Sequence, residues 1–386
     1  KDFFVKFRCE RDSLVEVLAT AGRAVGTRSS AQMVLSGVRI ESAGNRLSVT
    51  GTDLDLTVHV SSEAIGIADG VCVAPAKLLV DIVRLLEPGA VTIEAEGEKV
   101  EIGAARSRFS LRTFPVADFP SLPEPPEPAT FLPAAGLASA LRQVVRAASS
   151  DDARPLLTGV LIAPEGTGVR LVATDSYRLA LRDIVGSDAF SGGSQILVPA
   201  RALAELQRLS SLGSALKAGD RNSDSEGEEG PTVGLSIGDH DVTFTAGDVK
   251  VSTRLLDGSY PDYRQLIPAE YPNRLHVGKD SLLDALRRVR LLVRDNTTPV
   301  RLSMRHGGVD LTVVSQEVGD ASETVDADFE GEDLTIAFNP TYLIDGVEAV
   351  AGDEVVLETV DATKPATVRA AEETDFRYLL MPVRVS

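Results

Sequence analysis

The residues most suggestive of covalent chemistry are Thr174-Asp175-Ser176, inside the stretch ATDSYRLA from Ala173 to Ala180. A hydroxyl beside a carboxylate is part of a nucleophile set, but acyl transfer also needs a base in reach, and no histidine accompanies this run. The four histidines, His59, His240, His276 and His306, lie far apart, and none has a partner at metal-ligand spacing. Gly278-Lys279 lacks the glycines that precede a phosphate-cradling lysine and the Ser or Thr that follows it. The sequence contains no GxSxG, HExxH or GxGxxG. Cys9 and Cys72 have neither metal nor CxxC spacing and read as buried thiols of a reducing compartment. The expectation is a protein with no catalytic residues, no metal and no cofactor, in which Asp175 is a turn acid after a strand.

Cations offer a different chemistry, the neutralisation of phosphates. The formal net charge is −18, which as a uniform field argues against nucleic acid. The distribution is not uniform. Segment 279–294 carries Lys279, Arg287, Arg288, Arg290 and Arg294 against Asp280 and Asp284, and segment 135–149 carries Arg142 and Arg146 with no acid. The acids gather in SDSEGEEG (Ser223 to Gly230), in EAEGE (Glu94 to Glu98) and between Glu317 and Asp333. Screening over about 8 to 10 Å keeps distant acids from cancelling a basic segment.

The elements that position these residues come in threes. ATDSYRLA follows the strand-like VRLV (Val169 to Val172) and precedes the amphipathic PARALAELQRL (Pro199 to Leu209). Upstream, Thr52-Asp53 in LSVTGTDLDL is followed by APAKLLVDIVRLL; downstream, VDLTVVSQEV puts Glu317 in place of the Asp and is followed by FNPTYLIDGVEAV. The steps agree: Asp53 to Asp175 is 122 residues and Pro75 to Pro199 is 124, then Asp175 to Glu317 is 142 and Pro199 to Asn339 is 140. Leu14 and Leu18 recur as Leu137 and Leu141, then as Leu282 and Leu286. Three homologous domains follow, at 1–125, 126–265 (with an acidic insertion at 217–231) and 266–386.

Within the first, residues 3–9 alternate as a strand and Ser13 to Val25 has helical spacing with Asp12 or Ser13 as cap. Strands are expected at Gln32 to Ile40, Arg46 to Val49, Leu54 to Val60, Val91 to Ala95, Lys99 to Ile102 and Arg108 to Phe114, with a helix over 75–86 stopped by Pro88-Gly89. The Pro-rich run Phe114 to Pro133 and its counterpart Leu255 to Pro272 read as extended linkers. The fold class is α+β, each domain placing two helices on antiparallel sheet. No run approaches the roughly 18 apolar residues of a membrane span and no signal segment is evident, so the expectation is a soluble, cytoplasmic protein without membrane contact.

Four motifs together, ATDSYRLA, LLDGSYPDYRQLIP (Leu255 to Pro268), FNPTYLIDGV (Phe338 to Val347) and YLLMPVRV (Tyr378 to Val385), make the whole chain resemble the bacterial β sliding clamp family, the processivity subunits of DNA polymerase III. The resemblance implies a head-to-tail homodimer whose six DNA-clamp domains form a ring around duplex DNA, held without sequence preference. The implied partners are the polymerase III catalytic subunit, an ATP-dependent clamp loader, and other proteins with a clamp-binding motif such as repair polymerases and ligase. It also implies a peptide cleft at Arg154, Leu157, Thr174, Tyr177, Arg178, Leu179, Pro261, Leu266, Leu379, Met381, Pro382, Val383 and Arg384. Arg28 matches a DNA-contacting loop, and helices facing the hole would bring Lys77, Arg84, Arg142, Arg146, Arg201, Arg208, Arg287 and Arg288 to phosphates. Phe109 and Leu111, with Leu291 and Leu292, match the dimer seam. Tyr177 and Val383 depart from side chains usual in the family.

Overall fold

The structure is a computed structural model that describes residues 4–26, 33–124, 127–185, 195–211, 231–294, 298–372 and 375–384. Arg28 and residues 217–230 of the acidic insertion lie outside the described residues. The first repeat runs β1 (Phe4–Glu10), α1 (Arg11–Ala21), β2 (Gly37–Ala43), β3 (Arg46–Thr52), β4 (Leu56–Glu63) and β5 (Ile65–Ala68), then β6 (Gly70–Pro75), α2 (Ala76–Leu85), β7 (Ala90–Glu96), β8 (Lys99–Ala104) and β9 (Ser107–Arg112). The second contains β10 (Thr130–Pro133), α3 (Ala134–Val144), β11 (Gly159–Glu165), β12 (Gly168–Thr174) and β13 (Arg178–Val185), then β14 (Ile196–Pro199), α4 (Ala200–Ser211), β15 (Thr232–Ile237), β16 (Asp241–Ala246) and β17 (Val249–Arg254). The third contains β18 (Asn273–Gly278), α5 (Lys279–Val289), β19 (Val300–Arg305), β20 (Gly308–Ser315) and β21 (Gly319–Glu330), then β22 (Leu334–Phe338), α6 (Pro340–Ala349), β23 (Glu354–Thr359), β24 (Ala366–Ala370) and β25 (Phe376–Leu380). No helix among the described residues is long and apolar enough to cross a membrane.

The helices form where the apolar period is helical, and Leu14, Val17, Leu18 and Ala21 of α1 are all buried. Its start differs from the expected one: neither Asp12 nor Ser13 caps it, because the helix already begins at Arg11, whose amide donates to the Gly89 carbonyl at 2.9 Å. Asn339, by contrast, accepts from the amides of Thr341 (2.9 Å) and Tyr342 (3.2 Å), and Pro340 opens α6 where no amide is missed. The strand expected from Gln32 begins only at Gly37, since Met33–Ser36 is a 3-10 turn.

The two Pro-rich linkers are docked rather than free. Phe119 is buried against Val34, Leu35 and Val73, while Tyr260 and Tyr263 are buried with Leu161, Leu179 and Leu379. Prolines remove amides from sheet pairing but leave aromatic anchors free to pack, so an extended linker becomes a strap.

The chain divides into two compact units, Lys1–Ala135 with Arg201–Leu255, and Gly136–Ala200 with Leu256–Ser386. Unit 1 holds a five-stranded sheet, β5-β1-β7-β8-β9, and an eight-stranded sheet, β10-β15-β16-β17-β4-β3-β2-β6. Unit 2 holds one twelve-stranded sheet, β14-β11-β12-β13-β25-β24-β23-β18-β21-β20-β19-β22. Each unit therefore contains a junction at which a strand of one repeat pairs with a strand of the next: β17 with β4 in unit 1 and β13 with β25 in unit 2.

The ladders give the correspondence of repeats without reference to residue type. Glu10, Pro133 and Gly278 end the strand before each first helix and face Ala90, Thr232 and Glu354. Following the hairpins forward puts Leu111, Thr253 and Leu380 at one position. On the other side Thr57, Leu179 and Asp320 face Thr52, Thr174 and Val314. Ser315 rather than Glu317 therefore stands where Asp53 and Asp175 stand, because the third repeat's turn is one residue longer.

Candidate functional site

The Thr174-Asp175-Ser176 run is a turn whose polar groups are consumed by the backbone. Thr174 Oγ1 donates to the Arg178 carbonyl at 2.6 Å, and Asp175 Oδ1 accepts from the amides of Tyr177 (2.9 Å) and Arg178 (3.0 Å). Ser176 sits at φ 80°, a left-handed conformation that a non-glycine residue adopts only when such bonds fix it. Its hydroxyl accepts from Arg154 Nη1 at 3.1 Å, so no base is directed at it.

What the turn presents is Arg178, the first residue of β13. Its Nε donates to Asp175 Oδ2 at 3.0 Å, its Nη1 donates to Asp345 Oδ2 on α6 and lies 3.4 Å from Tyr378 Oη, and its guanidinium stacks 4.4 Å from the Tyr342 ring centroid. Tyr378 Oη in turn donates to the Tyr342 carbonyl at 2.9 Å. Burial opposes the Arg178 charge, but Tyr378, Asp345 and Asp175 outweigh it and hold its pKa above the ordinary arginine value. Burial likewise pushes the Tyr378 phenol up. Arg178 is thus a pin between β13, β25 and α6 rather than a free surface cation.

The other cleft residues divide by exposure. Leu157, Thr174, Leu179 and Leu379 are buried and can only shape a floor from beneath. Tyr177 (59 %), Leu266 (45 %) and Met381 (40 %) expose large apolar surface, beside exposed Pro261, Arg154 and Arg384 and half-buried Pro382 and Val383. The Met381 amide donates to the Tyr177 carbonyl at 2.9 Å, and the Tyr177 and Tyr342 rings lie 6.4 Å apart at 27°. An adaptable methionine, two tyrosines and a leucine over an aliphatic floor suit a short peptide with apolar anchors.

The basic helix residues are all exposed, and most already have acids. Arg201 pairs with Asp53, Arg208 with Glu205, Arg287 with Asp284 (3.6 Å) and Glu348 (3.0 Å), and Arg288 with Glu323 (2.8 Å). Arg146 reaches Glu348 at 3.3 Å and Asp345 at 3.7 Å. Among the described residues no ion pair involves Lys77, Arg84 or Arg142.

The seam residues lie at open edges. β9, with Phe109 exposed and Leu111 half-buried, is the last strand of the five-stranded sheet and among the described residues pairs only with β8. Leu291 and Leu292 lie on the 3-10 turn after α5; Leu291 is 79 % exposed and Leu292 half-buried. Along Gly319–Asp326 β21 pairs with β20 on one side, and its other edge has no strand among the described residues.

Sequence reasoning missed Asp345, Glu348 and Tyr342, although the motif FNPTYLIDGV contains two of them; the signal was a Tyr and an Asp three apart on one helix face. It also missed Leu78 and Leu85 on α2. Leu85 is 86 % exposed, whereas the residue at its position in α4, Leu209, is buried. Among the described residues no group of three or more His, Cys, Asp or Glu could hold a metal ion.

Three family descriptions match in succession: DNA polymerase III beta subunit, N-terminal domain over residues 5–123, central domain over 131–262, and C-terminal domain over 264–384. The chain is 36 % identical to the beta sliding clamp of Streptomyces coelicolor, covering 99 % of this chain and 100 % of that one. Among solved structures it resembles the sliding clamp of Bartonella birtlesii bound to griselimycin, with TM-score 0.89 and 29 % identity, and the C. crescentus beta sliding clamp, with TM-score 0.87 and 29 % identity. Each covers 99 % of this chain and 100 % of its own.

Proposed function

Because the chain belongs to the DNA polymerase III beta subunit family throughout its length, we propose that two copies close head to tail into a six-domain ring around duplex DNA. It acts as a non-catalytic sliding clamp in DNA replication, with domains at 1–125, 126–265 and 266–386. The observation that carries the ring is the repeated junction. Twice within the chain the strand after the turn, β4 or β13, takes as its neighbour the last strand of the next repeat, β17 or β25, with Leu56 facing Thr253 and Arg178 facing Leu380. Two strands of those kinds remain over, β21 and β9, and among the described residues both have an open edge. Pairing β21 of one copy with β9 of another repeats the junction a third time, and by the same register Gly319 faces Leu111 and Ala321 faces Phe109. A contact between unlike surfaces closes when the rotation allows, and two copies of three domains supply six equivalent junctions. Exposed Leu78, Leu85 and Phe109 of one copy, meeting Leu291 and Leu292 of the other, give the seam its apolar area.

Mechanism follows from topology. Most of the lining arginines share their charge with a neighbouring carboxylate, so the direct hold on phosphates is weak and the ring slides; encirclement keeps it on the template. The cleft around Tyr177, Leu266 and Met381 tethers partners by short apolar motifs. Three or four anchors at about 1.5 to 3 kcal/mol each, less the ordering cost, imply roughly micromolar affinity and therefore exchange between the polymerase catalytic subunit, the ATP-driven loader, repair polymerases and ligase. One cleft per chain is expected, because the first repeat has Leu56 where Arg178 stands. A cytoplasmic location fits such partners. Sedimentation tests the ring: the wild type runs as a dimer, and Leu291→Asp with Leu292→Asp runs as a monomer. An unchanged sedimentation coefficient in the double variant contradicts the seam.

A further inference from the structure

We propose that Asp345 and Glu348 on α6 are positioning residues that couple phosphate contact at Arg146 and Arg287 to the conformation of the peptide cleft through Arg178. The inference rests on the reading of that cleft and those arginines given above. Each carboxylate divides its two oxygens between two arginines from different elements. Glu348 Oε1 takes Arg287 at 3.0 Å and Oε2 takes Arg146 at 3.3 Å; Asp345 Oδ1 takes Arg146 at 3.7 Å and Oδ2 takes Arg178. The two acids are three apart on one helix and so share a face. An unbroken line of ion pairs results, Arg287, Glu348, Arg146, Asp345, Arg178, Asp175, whose first cations are solvent-facing and whose last is half-buried beside Tyr342 and Tyr378.

A phosphate reaching Arg287 or Arg146 competes with Glu348 and Asp345 for them. Asp345, relieved of Arg146, concentrates on Arg178, whose guanidinium covers Tyr342 and bonds Tyr378. Tyr342 stacks with Tyr177, and Tyr177 holds the Met381 amide, so the strengthened pin orders the exposed wall of the cleft. Burial opposes the charge of Glu348, yet the bonds from Arg287 and Arg146 hold its pKa below the usual carboxylate range, as expected of a group sustained by both cations. The first junction provides a control inside the same chain: Glu205, at the position of Asp345, takes Arg23 and Arg208, but Leu56 replaces Arg178 and the line stops there. Arg146 and Glu348 are each about a third exposed, which sets the coupling at the low end of the usual range, about fivefold.

The test measures binding of a labelled peptide with Leu and Phe anchors to the full-length protein by fluorescence anisotropy, with and without saturating short duplex DNA at low ionic strength. The wild type is expected to bind the peptide about fivefold more tightly with duplex present. Glu348→Gln is expected to bind both ligands with a ratio near one. Asp284→Asn, which removes an acid from Arg287 outside the line, is expected to keep the wild-type ratio. A wild-type ratio of one with both ligands bound overturns the coupling, as does a fivefold ratio retained in Glu348→Gln or lost equally in Asp284→Asn. Failure of peptide or duplex to bind the wild type at all overturns the underlying assignment of the cleft or the lining, and the coupling with it.

Discussion

Arg178 illustrates how one side chain can be both a surface motif and a structural pin. Its exposure is low, and two acids, a phenol and an aromatic face converge on it, so truncation leaves Asp345 and Asp175 charged with their partner gone. Arg178→Ala is expected to lower stability by about 3 kcal/mol and to abolish peptide binding while the dimer persists; a melting temperature unchanged from the wild type contradicts the pin. A second residue-scale prediction concerns His59, on the β4 side of the unit 1 junction, facing Lys250 and 2.9 Å from Thr50 Oγ1. Burial first, then Lys250, Arg46 and Arg39, hold its pKa below 6.5. The unfolded chain therefore takes up a proton first, so the stability contribution is complete above pH 6.5 and declines as the pH falls through 6.5 toward the lower native value. Thermal melts from pH 7.5 downward should show a decline that His59→Gln reduces; an identical profile in the variant contradicts the assignment.

At the scale of elements, the proposed seam is a strand pairing with a definite register. Ser110 of β9 and Asp320 of β21 face each other when Leu111 faces Gly319, and both are exposed. The chain with Ser110→Cys and Asp320→Cys should form covalent dimers under mild oxidation, since facing residues bring Cβ atoms within disulfide reach, whereas Ser110→Cys with Thr324→Cys should not. Native Cys9 and Cys72 are buried, and burial pushes the Cys72 thiol up to about 12, so they contribute little background. Equal cross-linking of the two pairs contradicts the register. The helices and most strands were legible in sequence because each keeps its own apolar period and the three copies agree on order. The network under the cleft was not, because Arg178 meets Asp345 and Tyr378 across 167 and 200 residues, and no local pattern marks such a meeting. The docking of the linkers was hidden for a related reason: proline content reports the lack of amides for pairing, while Phe119, Tyr260 and Tyr263 find their burial only against distant strands.

For the whole molecule, a triplicated domain explains how an acidic protein can hold DNA. The net charge of −18 is compatible with encirclement because the arginines on the helices are largely paired and a closed ring needs no tight grip. The repeat count was legible from the agreeing offsets, whereas the division of the second repeat between two compact units was not, since strands such as β17 and β25 cross repeat boundaries to pair. Retention on DNA after loading by an ATP-driven clamp loader is the sharpest measure of encirclement. Protein loaded on nicked circular DNA should stay bound through gel filtration and be lost once a restriction enzyme linearises the circle. Equal retention on circular and linear DNA, or loss from both, contradicts a closed ring.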